Sequence, residues 1–252
     1  MKKMLIIFLI LLLIIDVYFE VNFPRINEIL IETDKIKEEV RIIQISDLHN
    51  KKVGDDFFDK VKKQNPNIIV LTGDLIDRKT KDYSYVYYFI EQLIKINVPI
   101  YYVSGNHELS HNDVKVFEQE IFKRGVVLLD EDSATYKEIN IYGFGYYSKF
   151  EDTELNNDVF SLGLAHNPID IIEKGIDFDL ILAGHTHGGQ VRFPFIGAIF
   201  IPGQGFFAKY DKGLFDVNSK TKLYIDSGIG NTFLPIRFLN RSQFSLIRIY
   251  SK

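Results

Sequence analysis

Five short apolar runs in this sequence stop abruptly at polar or charged residues. "RIIQI" runs into "SDLHN", "NIIVL" into "TGDLID", "IYYV" into "SGNHE", "FSLGLA" into "HNP", and "DLILA" into "GHTHGGQ". Brief runs of this kind, rich in β-branched residues and bounded by turn formers, read as buried strands. Segments with helical spacing stand between the first three. "DDFFDKVKKQ" puts Phe57, Phe58 and Val61 on one side, and Tyr83 to Ile96 carries Val86, Phe89, Ile90 and Leu93 on one stripe. Strands alternating with such helices predict βαβ units and a largely parallel core. The second half is richer in strands, with "VVLLD", "INIYGFG", "KLYIDSG" and "FSLIRIY" around a helix near Asp170 to Lys174. "EILIETD" reads as a short strand ahead of the series.

The residues at the strand ends are the ones that carry chemistry. Asp47 and His49 follow the first strand, Asp74 the second, Asn106 and His107 the third, His166 a later one, and His185 with His187 the last. Ligand sites of open α/β sheets lie beyond the carboxyl ends of the strands. One sheet edge is therefore expected to gather two carboxylates, one amide and five imidazoles; of the six histidines, only His111 lies outside the set. The chain has no cysteine, so a metal must be held by nitrogen and oxygen. The set is too large for one four-coordinate zinc. It suits two divalent ions sharing one carboxylate, an arrangement used for in-line displacement at phosphorus. In an extended segment, residues i and i+2 point the same way, so Asp47 and His49 can chelate one ion together, while the two oxygens of Asp74 can bridge. Gly184, Gly188 and Gly189 are expected to turn the backbone tightly and leave room for a substrate phosphate.

"SDLH", "GDLID", "GNHE", the lone His166 and "GHTHGG", in this order, resemble the five motifs of the calcineurin-like metallophosphoesterase family, from about Arg41 onward. The resemblance implies a four-layer α/β sandwich, two mixed β-sheets flanked by helices. It implies that Asp47, His49 and His187 hold one cation, that Asn106, His166 and His185 complete the second, and that Asp74 bridges. It further implies a water acidified by both cations as nucleophile. His107 would serve the leaving oxygen, and Asn106 would also position the phosphate. No departure from the pattern occurs at these positions. The mixed donors do not choose among Mn²⁺, Fe and Zn; Mn²⁺ is the expectation for activity in vitro. "GGQVRFPF" and the N-terminus resemble a membrane-associated bacterial branch of phosphodiesterases and lipid-sugar pyrophosphatases. The expected function is hydrolysis of a phosphodiester or phosphoanhydride, with a lipid-linked or cell-envelope substrate within its range. A broad-specificity phosphomonoesterase or nucleotide phosphatase is the alternative enzyme. A non-catalytic scaffold on the same fold is disfavoured, because the ligand set and His107 are intact. Among the neighbouring polar residues, Asp77 reads as a turn cap, and Glu108 and His111 as solvated loop residues.

The N-terminus supplies the compartment. Lys2 and Lys3 precede an unbroken apolar run from Met4 to Ile15, then Asp16 and Val17-Tyr18-Phe19. No small-x-small cleavage site follows, so residues 1–24 read as a signal anchor and connector, and residues 25–252 as one catalytic domain. The lysines favour a cytoplasmic N-terminus and an extracytoplasmic body at the cell membrane. A cleaved signal peptide releasing a secreted form is the rival reading. The net charge of −4 offers no footprint for nucleic acid. The aromatic stretch from Val191 to Tyr210 has two readings: a hairpin packed on the core, or an interfacial lid beside the metals that touches the membrane.

Overall fold

The computed structural model describes residues 1–146, 154–201, 204–231 and 235–252. Helix α1 (Lys2–Asn22) leads directly into β1 (Arg25–Thr33) and β2 (Val40–Ile45). Three strand–helix alternations follow: α2 (Asp55–Lys63), β3 (Ile68–Thr72), α3 (Ser84–Ile94), β4 (Ile100–Val103), then α4 (Asn106–Leu109), α5 (Val114–Lys123) and β5 (Val126–Leu128). The second half runs β6 (Ser133–Tyr136), β7 (Ile139–Phe144), β8 (Phe160–Ala165), α6 (Pro168–Ile172) and β9 (Leu180–Ala183). Two small antiparallel pairs come next, β10 (Arg192–Phe193) with β11 (Gly197–Ala198) and β12 (Phe200–Ile201) with β13 (Gly205–Phe206). The last strands are β14 (Gly213–Asp216), β15 (Lys222–Ile225) and β16 (Gln243–Ser251).

The strands form two mixed six-stranded sheets, ordered β1-β16-β2-β3-β4-β5 and β14-β15-β9-β8-β7-β6. Their centres are parallel, and antiparallel pairings occur at β16–β2, β14–β15 and β6–β7. Every residue of β3, β4, β8 and β9 is buried, as expected of parallel strands covered on both faces. One apolar cluster joins the facing sheets through Ile42, Val70 and Val103 on one side and Leu162, Leu182 and Tyr224 on the other. A second packs Phe57, Val61, Phe89, Leu93 and Phe117 from α2, α3 and α5 on the outer face of the first sheet. A third sets Ile171 of α6 with Phe178 and Ile225 on the outer face of the second. The result is the expected four-layer sandwich.

Local rules explain the shorter elements. Asp55 and Asp56 open α2 and Lys60, Lys62 and Lys63 close it, matching the helix dipole. The Asn167 side chain caps α6 by accepting the Ile169 N–H at 3.2 Å, with Pro168 at the first helical position. Helix α5 and strands β6 and β14 have no counterpart in the sequence reading. Helix α5 buries only Phe117 and Ile121, and the two edge strands bury no residue fully. Strand β1 is longer than "EILIETD" and starts at Arg25.

Helix α1 is long and apolar enough to cross a membrane, with a mean hydropathy of 2.7 over its most apolar window. Only its last turn meets the body, where Val21 is buried. In the Val191–Tyr210 stretch, Ala198 and Ile201 are buried while Phe193, Phe195, Ile196, Phe200, Phe206 and Phe207 stay exposed. Ala198 and Ile201 anchor the hairpins, and the aromatic side chains face outward. Residues 202–203 of this stretch lie outside the described residues.

Candidate metal centre

Parallel register makes the loops converge. Ile45 pairs with Leu71 and Thr72 with Val103, so the carboxyl ends of β2, β3 and β4 finish nearly level. Leu164 pairs with Leu182 in the facing sheet, which brings His166 and the His185–His187 loop to the same edge. Asp47 is fully buried. Its carboxylate accepts the Ser46 hydroxyl at 2.5 Å and the His185 N–H at 3.1 Å. Its Oδ1 lies 3.3 Å from Nε2 of His187 and 3.9 Å from Nε2 of His49, and those two nitrogens are 3.1 Å apart.

Asp74 joins this group to a second. Its Oδ2 is 3.7 Å from Nε2 of His49 and 3.1 Å from Nε2 of His166. Nδ1 of His185 is 3.1 Å from the same His166 nitrogen, and Oδ1 of Asn106 is 3.2 Å from it. The other Asp74 oxygen accepts the backbone N–H of His107 at 2.8 Å. Nδ1 of His166 lies 2.8 Å from the Thr72 carbonyl oxygen, which fixes the proton there and turns Nε2 toward the centre. The His107 ring stands edge-on to that of His49, with centroids 4.6 Å apart.

This donor set fits a pair of divalent cations. Two nitrogens bound at about 2.1 Å to one ion stand about 3.0–3.4 Å apart across angles from right to tetrahedral. Both histidine pairs have that separation. Two triads lie within mutual reach, Asp47–His49–His187 and Asp74–His166–His185, and Asp74 also groups with His49 and His107. Burial holds His49 down to about 4 and His185 down to about 3, and holds His187 well below its ordinary value, so these imidazoles stay neutral with lone pairs available. Burial pushes Asp47 up to about 6. Burial also disfavours charge on Asp74, but the adjacent His166 outweighs it and holds that carboxyl well below the usual range. His166 is likewise opposed by burial yet raised to about 10 by Asp74. In the chain alone, His166 supplies the positive charge that two buried carboxylates require, a place a bound cation would take.

Three sequence expectations change here. Asp47 and His49 do not sit in an extended segment: their φ values are 51° and 48°, and Asp74, His185 and His187 also have left-handed backbone at 52°, 74° and 49°. The curl of each loop, not strand alternation, aims these side chains. The glycines do not leave open room. A Cβ on Gly184 would meet Ser46, and one on Gly189, at φ 69°, would meet Ala198 of the aromatic hairpin. Glu108 is not solvated. It is buried, and it accepts the N–H groups of Asp74 at 2.9 Å, Ile76 at 3.1 Å and Gly105 at 2.9 Å. The "GNHE" spacing carried the signal, since a glutamate three residues after a helix cap reaches back to the cap's N–H.

His111 is half-buried between the Tyr83 hydroxyl and the Thr80 carbonyl. Asp77 closes its own turn by accepting the Lys79 N–H, and its other oxygen lies 3.5 Å from Nδ1 of His107. Arg237, which the motifs do not mark, is fully buried. It donates to the carbonyls of Ser227, Gly228, Gly230 and Asn240, in the loops that wrap Asp47 and His187.

Residues 40–189 match the family described as calcineurin-like phosphoesterase. The chain belongs to that family. Membership makes it a metal-dependent phosphoester hydrolase. Cj0846 of Campylobacter jejuni, named an uncharacterized metallophosphoesterase, is 30% identical over 97% of this chain and 69% of its own length. The metallophosphoesterase YkuE of Bacillus subtilis is 29% identical over 84% of this chain and 79% of its own. A Danio rerio relative, named a transmembrane protein with metallophosphoesterase domain, is 25% identical over 95% of this chain and 61% of its own. Among solved structures, a dimetal phosphatase from Danio rerio shares the fold, with a TM-score of 0.51 at 9% identity, covering 81% of this chain and 94% of that one.

Proposed function

We propose that this chain is a membrane-anchored hydrolase of phosphodiesters or phosphoanhydrides, with residues 1–24 as anchor and connector and residues 25–252 as the catalytic domain. The observation that carries the reading is the position of Asp74 Oδ2, 3.1 Å from His166 and 3.7 Å from His49, where one carboxylate can serve both cations. Asp47, His49 and His187 would hold the first cation, and Asn106, His166 and His185 would complete the second. When bound, such a pair lowers the pKa of a water and draws charge from the phosphoryl oxygens. Mn²⁺ is the cation we place first.

The chain's own residues do the rest. With its carbonyl oxygen toward His166, Asn106 keeps its amide N–H groups for a phosphate oxygen. His107 delivers a proton to the leaving oxygen, steadied by the Arg78 N–H at 3.3 Å and by Asp77. Helix α1 and the exposed aromatic residues support a lipid-linked or cell-envelope phosphate as substrate. Lys2 and Lys3 favour a body outside the cytoplasmic membrane.

The test uses the full-length chain, stripped with chelator and reloaded with Mn²⁺, Fe²⁺ or Zn²⁺, on soluble diesters, monoesters and lipid-linked phosphates. Removal should abolish turnover and reloading should restore it, with diesters or anhydrides ahead of monoesters. Asp74→Asn should lose both metal and activity. A fully metallated, active Asp74→Asn would overturn the shared-carboxylate assignment.

A further inference from the structure

Helix α1 does not leave the body on a loose tether. The Glu20 carbonyl accepts the Ser242 N–H at 2.8 Å, and the Glu20 carboxylate accepts the Asn240 N–H at 2.7 Å. The Val21 carbonyl accepts from the Lys51 ammonium and, at 3.1 Å, from the Ser242 hydroxyl, while the Phe23 carbonyl accepts from Arg241 at 2.6 Å. The same residues reach the metal centre. The Asn240 amide donates to the His187 carbonyl at 2.7 Å. Lys51 also donates to the Ile229 carbonyl at 2.9 Å, beside the Gly230 N–H that bonds the Asp47 carbonyl. Hydrogen bonds therefore run without a break from the end of the helix to the loops of the centre.

The β10–β11 hairpin is fastened to this network. The Arg192 N–H bonds the Phe238 carbonyl at 3.0 Å, the Phe238 N–H bonds the Gln190 carbonyl at 3.1 Å, and the Phe193 and Phe238 rings lie edge-on 6.2 Å apart. At Phe23 after α1, in the hairpin, and in the segment that bonds both, the apolar side chains of Phe23, Phe193, Phe195, Ile196, Ile236 and Leu239 are exposed. Phe195 is the extreme case. It is fully exposed, and its φ of 67° puts a bulky side chain in the left-handed region that a hairpin tip ordinarily reserves for glycine or asparagine. A phenyl held in water on a disfavoured backbone is a group lacking its solvent, and a tip joined through Phe238 and residues 240–242 to a membrane-length helix points to acyl chains as that solvent.

We propose that the Phe193–Ile196 tip, with Ile236 and Leu239, inserts into the same bilayer that α1 spans. The metal centre is then held at a fixed height and tilt against the membrane surface. This rests on the reading of α1 as a membrane span.

The chain has no cysteine, so single-cysteine variants accept one environment-sensitive fluorophore each. Full-length Leu9→Cys, Phe195→Cys and Lys220→Cys, labelled and reconstituted in vesicles of phosphatidylethanolamine and phosphatidylglycerol, are compared with and without spin-labelled quencher lipids. Lys220 lies in the turn before β15 with an exposed side chain and serves as the aqueous control. The expected result is severalfold quenching and a blue-shifted emission at positions 9 and 195, with a water-like signal at 220. A quenched label at 9 beside a water-like label at 195 overturns the docking of the tip alone. A water-like label at 9 overturns the membrane span and the docking together. Hydrolysis of a soluble diester by the same preparations tests the catalytic reading separately.

Discussion

The buried carboxylate of Glu108 accepts the backbone N–H of Asp74 at 2.9 Å. The residue that joins the two histidine pairs is thus itself held from behind, by a side chain that also takes the N–H groups of Ile76 and Gly105. Burial, and next the Asp74 charge, raise Glu108 to about 8, while the N–H donors favour its ionised form.

Glu108→Gln should expose this support. A carboxamide keeps one acceptor and turns an NH₂ group toward backbone N–H donors, leaving buried groups unpaired at about 1–3 kcal/mol. Urea unfolding of the full-length protein at a pH above 8, where the Glu108 carboxyl is ionised, should show a loss of that size, together with weaker metal retention. Unchanged stability would count against the bracing role.

Arg237→Lys should be more damaging than its conserved charge suggests. The guanidinium spans the carbonyls of Ser227, Gly230 and Asn240 at 2.7, 2.6 and 3.3 Å, which a single ammonium cannot do. Each charge-assisted bond lost should cost about 1.5–3 kcal/mol. The measurement is a fall in thermal midpoint together with reduced metal affinity, because the same loops wrap Asp47 and His187.

His107→Ala separates catalysis from binding. In the proposed mechanism the ring transfers a proton and belongs to neither the Asp47–His49–His187 nor the Asp74–His166–His185 triad, so metal content should stay at the wild-type level. Turnover should fall roughly 10²–10⁴-fold, the usual contribution of a general acid. Loss of metal along with activity would reassign His107 as a ligand.

Glu118 gives a pH signature away from the centre. Burial, then the neighbouring Asp130, raise its carboxyl to about 7. A raised acid stabilises the fold below its unfolded value and loses that contribution as pH climbs through the folded one. Glu118→Gln should therefore melt higher than wild type at about pH 8.5 and match it near about pH 4.5. Equal melting at both pH values would contradict the assignment.

The sequence made the centre legible because its donors are residues that seldom end buried strands without a reason, and parallel strands bring such ends together. Asp47, His49, Asp74, Asn106, His166, His185 and His187 lie together at one edge of the two sheets. What escaped was the support. Glu108 and Arg237 bond mostly to main-chain groups, and a main-chain partner leaves no mark on residue type. The left-handed backbone of five site residues escaped for a related reason: asparagine or glycine would announce it, whereas Asp47, His49, Asp74, His185 and His187 are kept there by their surroundings. Helix α5 and the edge strands β6 and β14 were missed because each has few buried side chains to set a period.

One pairing bears on how the molecule comes into being. Strand β16 lies between β1 and β2, and β1 matches it residue for residue from Arg25↔Gln243 to Thr33↔Ser251. Strand β1, the first after α1, therefore has no strand neighbour in the fold until residues 243–251 are in place. Until then its open edge must be kept from other chains, and the sheet closes as a late event across nearly the whole sequence.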